Sequence, residues 1–145
     1  MNYTIGSPFG RCLLCGISLI LLAGCGSPSN RAALQGTVTL NGKSLKNGNV
    51  QFLPQSGTGG PSAGGRIADG SFSIDRDRGV FFGTFRVEIT ASRKTGRKIE
   101  SPLAPGQFAD EIVQYLPECY NRQSELTAEV TKAGPNQFEF ALVSP

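Results

Sequence analysis

The amino-acid sequence predicts an all-β chain: an antiparallel β-sandwich of about seven strands, with a small closed barrel as the alternative. Two observations lead there. Short runs alternate apolar and polar residues with period two, so each strand has one dry face and one wet face. Turn signals, chiefly Asn41-Gly42 and Asp69-Gly70, separate those runs, and such spacing favours two sheets packed face to face. Ahead of the first run stands a segment of another kind, which sets the address of the chain.

Residues 1–11 are mostly polar and end in Arg11. Cys12 to Leu22, CLLCGISLILL, are uncharged and almost wholly apolar, and Ala23 and Gly24 are small. A basic start, an apolar run of about 7–15 residues and a small-residue cleavage site describe a secretory signal; a membrane span needs about 20 apolar residues. Leu22-Ala23-Gly24-Cys25 resembles the lipobox of bacterial lipoproteins. The resemblance implies diacylglyceryl attachment to the Cys25 sulfur, cleavage before Cys25 and acylation of the new amino terminus. Two or three acyl chains anchor stably, at about 0.8 kcal/mol per buried methylene, where one is marginal. The alternative is an ordinary secretory signal whose mature chain begins near a cysteine. The expected organisation is a signal peptide over 1–24, a flexible tether over 25–33 and a β-sandwich domain over 34–145. Gly26 is not acidic, so the lipoprotein signal for inner-membrane retention is missing. The expected location is the bacterial cell envelope, extracytoplasmic, on the outer membrane rather than the inner.

The strands follow in order. LQGTVTL (Leu34 to Leu40) turns Leu34, Val38 and Leu40 to one face. Asn41-Gly42 suits a type I′ hairpin, in which both central residues take positive φ. Asn49 to Pro54 returns as the partner strand with Val50 and Phe52 inward, although the five or six residues between the runs allow a longer connection. Gln55 to Gly65, QSGTGGPSAGG, reads as a mobile loop. A short strand at Arg66 to Ala68 meets Asp69-Gly70, and Ser71 to Asp75 alternates with Phe72 and Ile74 inward. TFRVEITA gives the clearest pattern, with Phe85, Val87, Ile89 and Ala91 on one side. Near the end, Ser124 to Thr131 and Gln137 to Leu142 repeat it, burying Leu126, Ala128 and Val130, then Phe138, Phe140 and Leu142. The long connection from Ser92 to Gln123 must have structure of its own. Within it, Phe108, Ile112, Tyr115 and Leu116 fall at helical spacing, but the same run fits an edge strand closed by Pro117. Helix and strand both remain open there.

Composition narrows the function. The four cysteines offer no disulfide framework once Cys12 and Cys15 leave with the signal and Cys25 carries lipid. Cys119 remains, expected as a small buried apolar residue. Histidine is absent, which excludes Ser-His-Asp and Cys-His nucleophilic pairs and His-ligated zinc. Lys and Arg number 14 against 11 Asp and Glu, too even a balance for a dedicated nucleic-acid protein. Neither a cofactor nor a metal is expected. Asp75, Asp77 and Gly79 lack the further oxygens of a calcium loop and read as a turn.

GTVTLNGKSLKNGNVQFLP, DGSFSID, GTFRVEI and YNRQSELTAEVT…NQFEFAL together resemble small bacterial lipoproteins with a carboxypeptidase regulatory-like domain, within the transthyretin-like β-sandwiches. The resemblance covers Leu34 to Leu142. It implies a prealbumin-like sandwich outside the cytosol and no reaction, since such domains serve as accessory modules. The histidine-dependent hydrolases of 5-hydroxyisourate in that group find no counterpart here. The expected function is a lipid-anchored, non-enzymatic envelope protein with a structural or protein-binding role, held to the membrane through Cys25. The expected partner is another envelope protein or cell-wall polysaccharide. The alternative is a carbohydrate or small-ligand module. Two candidate surfaces stand out. Arg93, Lys94, Arg97 and Lys98 concentrate positive charge and could meet an anionic lipid or polysaccharide surface. Phe81, Phe82, Phe108, Tyr115 and Tyr120 could line a ligand surface, since aromatics suit half-wet rims.

Overall fold

The structure, a computed structural model, describes residues 30–145. The segments expected as signal peptide and tether, up to residue 29 and with Cys25 among them, lie outside the described residues. β1 (Leu34–Leu40) ends at Asn41-Gly42, whose φ angles of +50° and +76° are both left-handed, as a type I′ turn requires. The turn leads into β2 (Lys43–Ser44), just two residues long and paired with Thr39 and Leu40. The Asn49 to Pro54 run is therefore not the partner of β1, contrary to the sequence expectation. Leu45 buries its side chain after β2 and its N–H bonds back to the Val38 carbonyl, which turns the chain away. β3 (Asn47–Pro54) instead lies between β4 (Ala63–Ala68) and β6 (Gly83–Thr90).

Asp69-Gly70, with φ of +47° and +81°, makes the second left-handed turn and joins β4 to β5 (Ser71–Ile74). A Cβ on Gly70 would also stand 2.7 Å from that of Ser44, so conformation and space both demand glycine. β4 starts earlier than the sequence suggested. Ala63, Gly64 and Gly65 pair with Phe52, Gln51 and Val50, because backbone hydrogen bonding does not need side chains that alternate. The remaining loop is held rather than loose: the Thr58 hydroxyl accepts from the Thr84 N–H at 3.0 Å.

β9 (Thr127–Val130) and β10 (Gln137–Leu142) complete the body. Seven strands follow one hydrogen-bonded path, β10-β1-β5-β4-β3-β6-β9. All its pairs are antiparallel except β1 with β10. Four strand spacings separate β10 from β3 on this path, about 19 Å in a flat sheet. Yet the rings of Phe138 and Phe52 lie 5.7 Å apart, and Phe52 also meets Phe72 at 6.0 Å. The sheet has curled over itself, so the two layers of the sandwich are continuous rather than separately bonded sheets. β9 and β10 are not bonded to each other, and the curl stops short of a barrel.

The core fills the fold of this curl. Leu34, Val38, Val50, Phe52, Ile67, Ile74, Phe85, Val87, Ile89 and Leu142 are all buried to within 1%, which is the period-two reading made physical. Ala32, expected in the tether, is also buried and bridges to Val80. Ser124 precedes β9 rather than opening it; its buried hydroxyl donates to the Val87 carbonyl.

The connection after β6 resolves as strand. β7 (Ser92–Ser101) and β8 (Ala104–Gln114) form a separate two-stranded antiparallel ribbon, and a single 3-10 turn follows at Glu118–Tyr120. Gln107 to Gln114 is thus not helical: Phe108, Asp110, Ile112 and Gln114 share one face of a strand. Cys119 is exposed, against the expectation of burial. Its neighbours Leu116 and Tyr120 turn to the core, leaving the cysteine on the outer side of the 3-10 turn.

Candidate functional site

The β7–β8 ribbon is an arm. Its substantial contacts run between its own strands, and none of its residues belongs to the buried core. Only its root is tied down. The Gln114 side-chain oxygen accepts from the Ala91 and Tyr115 N–H groups, at 2.9 and 3.1 Å. Ala91 and Leu116 on either side are buried. With its looped-out residues left aside, the paired ladder from Ser92 to Ser101 spans about 23 Å at ~3.3 Å per step. The ribbon turns at Pro102-Leu103, between the paired residues Ser101 and Ala104.

Two irregularities shape it, and the one near the tip gives β8 three extra residues between Ala104, opposite Ser101, and Phe108, opposite Glu100. β7 spends two extra residues between Lys94, opposite Ile112, and Lys98, opposite Asp110. Gly96, at φ +86°, sits in this bulge and supplies the left-handed residue it needs. The bulge brings Lys94 and Lys98 to the same carboxylate: their ammonium groups each lie 2.6 Å from an oxygen of Asp110. The hydrogen bonds from Lys94 and Lys98, with their charges, hold the Asp110 carboxyl down at about 2. The same contact raises Lys94. On the other face, Glu111 accepts from the Thr95 hydroxyl at 2.6 Å and lies 3.8 Å from the Arg97 Nε. Arg93 stacks over the Tyr115 ring at 5.5 Å.

The four predicted basic residues therefore all lie on β7, but three of them face carboxylates of β8. They form an internally compensated ribbon, not a bare cationic patch. The five predicted aromatics do not converge. Phe81 lies beneath Arg31, whose guanidinium is 5.5 Å away, and Phe82 packs on the core. Tyr120 also packs on the core, and its hydroxyl accepts from the Val143 N–H at 2.9 Å. Phe108 and Tyr115 belong to the arm and its root. Phe82 directly precedes β6 and Ser92 follows it by one residue, so the two groups are separated by the length of that strand.

Of the arm's exposed apolar residues, sequence reasoning named Phe108 and missed Leu103, Ile112 and Ile99 as surface residues. Leu103 is 96% exposed, Phe108 70%, Ile112 63% and Ile99 38%. The signal available was Leu103 standing between the turn-forming prolines of SPLAP, a large apolar residue where a turn puts side chains in water. Among the described residues, the one other large apolar side chain left this open is Val143. A groove of about 490 Å³ lies at the opposite end, beside the chain entry, with Asp75, Arg76, Phe82, Lys132 and Asn136 in its wall. Asp75 precedes a 3-10 turn there, Arg76–Arg78, that contains Asp77, and Arg78 pairs with Asp75 at 3.3 Å.

No protein-family model, no curated protein and no solved structure matches this chain.

Proposed function

We propose that this chain is a lipid-anchored protein of the bacterial cell envelope, tied to a membrane through Cys25, that binds another envelope component and catalyses no reaction. The arm is the observation that carries the binding role. Leu103, Phe108 and Ile112 stand in water, spaced along a ribbon that covers no core, and supply apolar contact points for a partner. The lipobox-like Leu22-Ala23-Gly24-Cys25 and the apolar run before it support the anchor. The absence of histidine removes the commonest general base.

The two halves of the reading fit one geometry. Ala32 bridges to Val80, beside the start of β6, whereas the arm springs from its far end. Eight residues of β6 separate these points by about 26 Å. An anchored amino terminus and a binding arm would thus occupy opposite ends of the body.

Mass spectrometry of the mature protein tests the anchor. The expected mass begins at Cys25 and includes acyl chains, which disappear in Cys25→Ser. An unacylated wild-type chain, processed identically to the variant, would overturn it. A carbohydrate-binding role is the second reading, favoured by the groove that contains Phe82. NMR titration with cell-wall glycan fragments separates the two: shifts confined to Phe82 and Asn136 would select the groove.

A further inference from the structure

Three segments build the groove of about 490 Å³ at the end of the body away from the arm. They are residues 30–35, the end of β5 with Asp75 and Arg76, and the turn between β9 and β10 from Thr131 to Asn136. The protein's own hydrogen bonds fix these walls. The Gln35 N–H donates to the Asn136 carbonyl at 3.1 Å, which ties the entering chain to the turn. Asn136 also closes the turn: its side-chain oxygen accepts from the Thr131 N–H at 2.8 Å, and its side-chain amide donates to the Thr131 carbonyl at 3.1 Å. Leu34 and Ile74, both buried, and the half-buried Phe82 supply apolar surface. A preformed concavity with apolar surface and a few polar groups is the usual form of a small-ligand site.

Charge narrows the class of ligand. The one carboxylate in the wall, Asp75, is already held by Arg78 at 3.3 Å. Arg31 lines the groove too, engaged with the Gly79 carbonyl at 2.7 Å and with the Phe81 ring at 5.5 Å. Arg76 and Lys132 differ from these: neither has a carboxylate within ion-pair distance among the described residues. The arm treats its cations the other way, with Lys94 and Lys98 on Asp110 and Arg97 beside Glu111. Uncompensated positive charge in a concave wall, with apolar surface behind it, focuses its field and concentrates anions there.

The remaining groups suit a sugar. Gln35 carries an amide and Ser73 a hydroxyl in the wall, both able to donate to and accept from sugar hydroxyls. Phe82 offers an aromatic ring to the apolar side of a pyranose.

We infer that this groove binds an acidic saccharide, its ring beside Phe82 and its oxyanion, a carboxylate or a phosphate, met by Arg76 and Lys132. The inference rests on the carbohydrate reading of the groove given above and is independent of the arm and of the lipid on Cys25. The test is NMR titration of the full chain with D-glucuronate, D-glucose 6-phosphate, D-glucose and inorganic phosphate. The two acidic sugars are expected to shift the amides of Gln35, Lys132 and Asn136, and to bind at least tenfold more tightly than either glucose or phosphate. Arg76→Gln with Lys132→Gln should weaken the acidic sugars at least tenfold and leave glucose unchanged. Lys43→Gln, which removes an exposed cation on β2, should leave all four unchanged. Circular dichroism melts must coincide with wild type; where the pair fails this check, Lys132→Gln alone carries the comparison. Glucose binding in the groove as tightly as the acidic sugars would overturn the anion preference and leave the carbohydrate reading standing. If none of the three sugars binds there, both fall. Inorganic phosphate binding as tightly as glucose 6-phosphate would reduce the groove to an ion site, and equal weakening by Lys43→Gln would reduce it to general charge attraction; either result overturns the inference.

Discussion

Asp110 shows how one side chain sets the chemistry of a surface. Its carboxyl sits between two ammonium groups, at 2.6 Å from each. A carboxyl held at about 2 instead of the ordinary 3.8 contributes fully above about pH 4. That contribution is lost as the pH falls towards 2, when protonation releases both lysines. For Lys94 the sign reverses: its raised value keeps the contact intact below 10.5, and the contact is lost as pH climbs past the raised value. NMR of the Asp110 carboxyl is therefore expected to give a midpoint near 2. In Asp110→Asn the two lysines lose their carboxylate, so the protein should elute from a cation exchanger at higher salt than wild type. The contact itself is read by NMR of the Lys94 ammonium, whose raised midpoint should fall back towards 10.5 in Asp110→Asn; a midpoint unmoved by the change would mean that Asp110 does not hold it. Phe52 is the corresponding residue of the interior. Fully buried and in ring contact with Phe72 and Phe138, it ties the two layers of the curl. Phe52→Ala is expected to cost about 3–5 kcal/mol of stability, read by chemical denaturation.

At the scale of elements, the position that closes the curl is Gly36. It sits in β1 between β5 and β10, and a Cβ there would lie 2.1 Å from the Phe138 carbonyl oxygen and 2.9 Å from the Phe72 ring. Neither the paired backbone nor a packed ring moves cheaply, so Gly36→Ala should push β10 off β1. A loss of about 1–3 kcal/mol is expected, typical of overpacking, together with faster amide exchange confined first to Gln137–Leu142. The pairing of β1 with β10 was not legible in the sequence, because alternation reveals which face of a strand is dry and nothing about its neighbour. What alternation does report was read well: Phe85, Val87, Ile89 and Ala91 are all buried, and Gln137–Leu142 has the expected bounds. The two left-handed turns were equally legible, since Asn-Gly and Asp-Gly encode a backbone conformation directly. From Ser92 to Gln123 the reading stopped at two alternatives, helix or edge strand, for a physical reason. Both strands of the arm are wet on both faces, so burial imposed no period on them. The spacing of Phe108, Ile112, Tyr115 and Leu116 then imitated a helix. The candidate site was half visible for the same reason: its charges stood out as SRKTGRK, while its apolar residues fell between polar ones on a strand with no dry face.

For the molecule as a whole, a body with one closed core carries a ribbon that shares none of it. Two-stranded ribbons without a hydrophobic face to cover are marginal in water. The hydrogen bonds between β7 and β8 should therefore open locally, far more readily than those of the seven-stranded path, which open with global unfolding. Hydrogen exchange followed by mass spectrometry is expected to show fast exchange from Arg93 to Val113 and slow exchange through β1, β3 and β6. Replacing residues 93–113 by a short turn should then leave the thermal midpoint of the body within a few degrees of wild type. Ala91 and Leu116, the buried residues that flank the arm, remain in such a chain. A collapse of the midpoint on removal would show that the arm braces the sandwich, and its apolar side chains would then be explained by folding instead of recognition. The opposite result carries a consequence for binding. A ribbon that opens readily when free must be ordered by whatever binds it, and that ordering is subtracted from the affinity. Protection of β7 and β8 should therefore rise when the partner binds, and rise most near Leu103, where the free chain has the least to hold it.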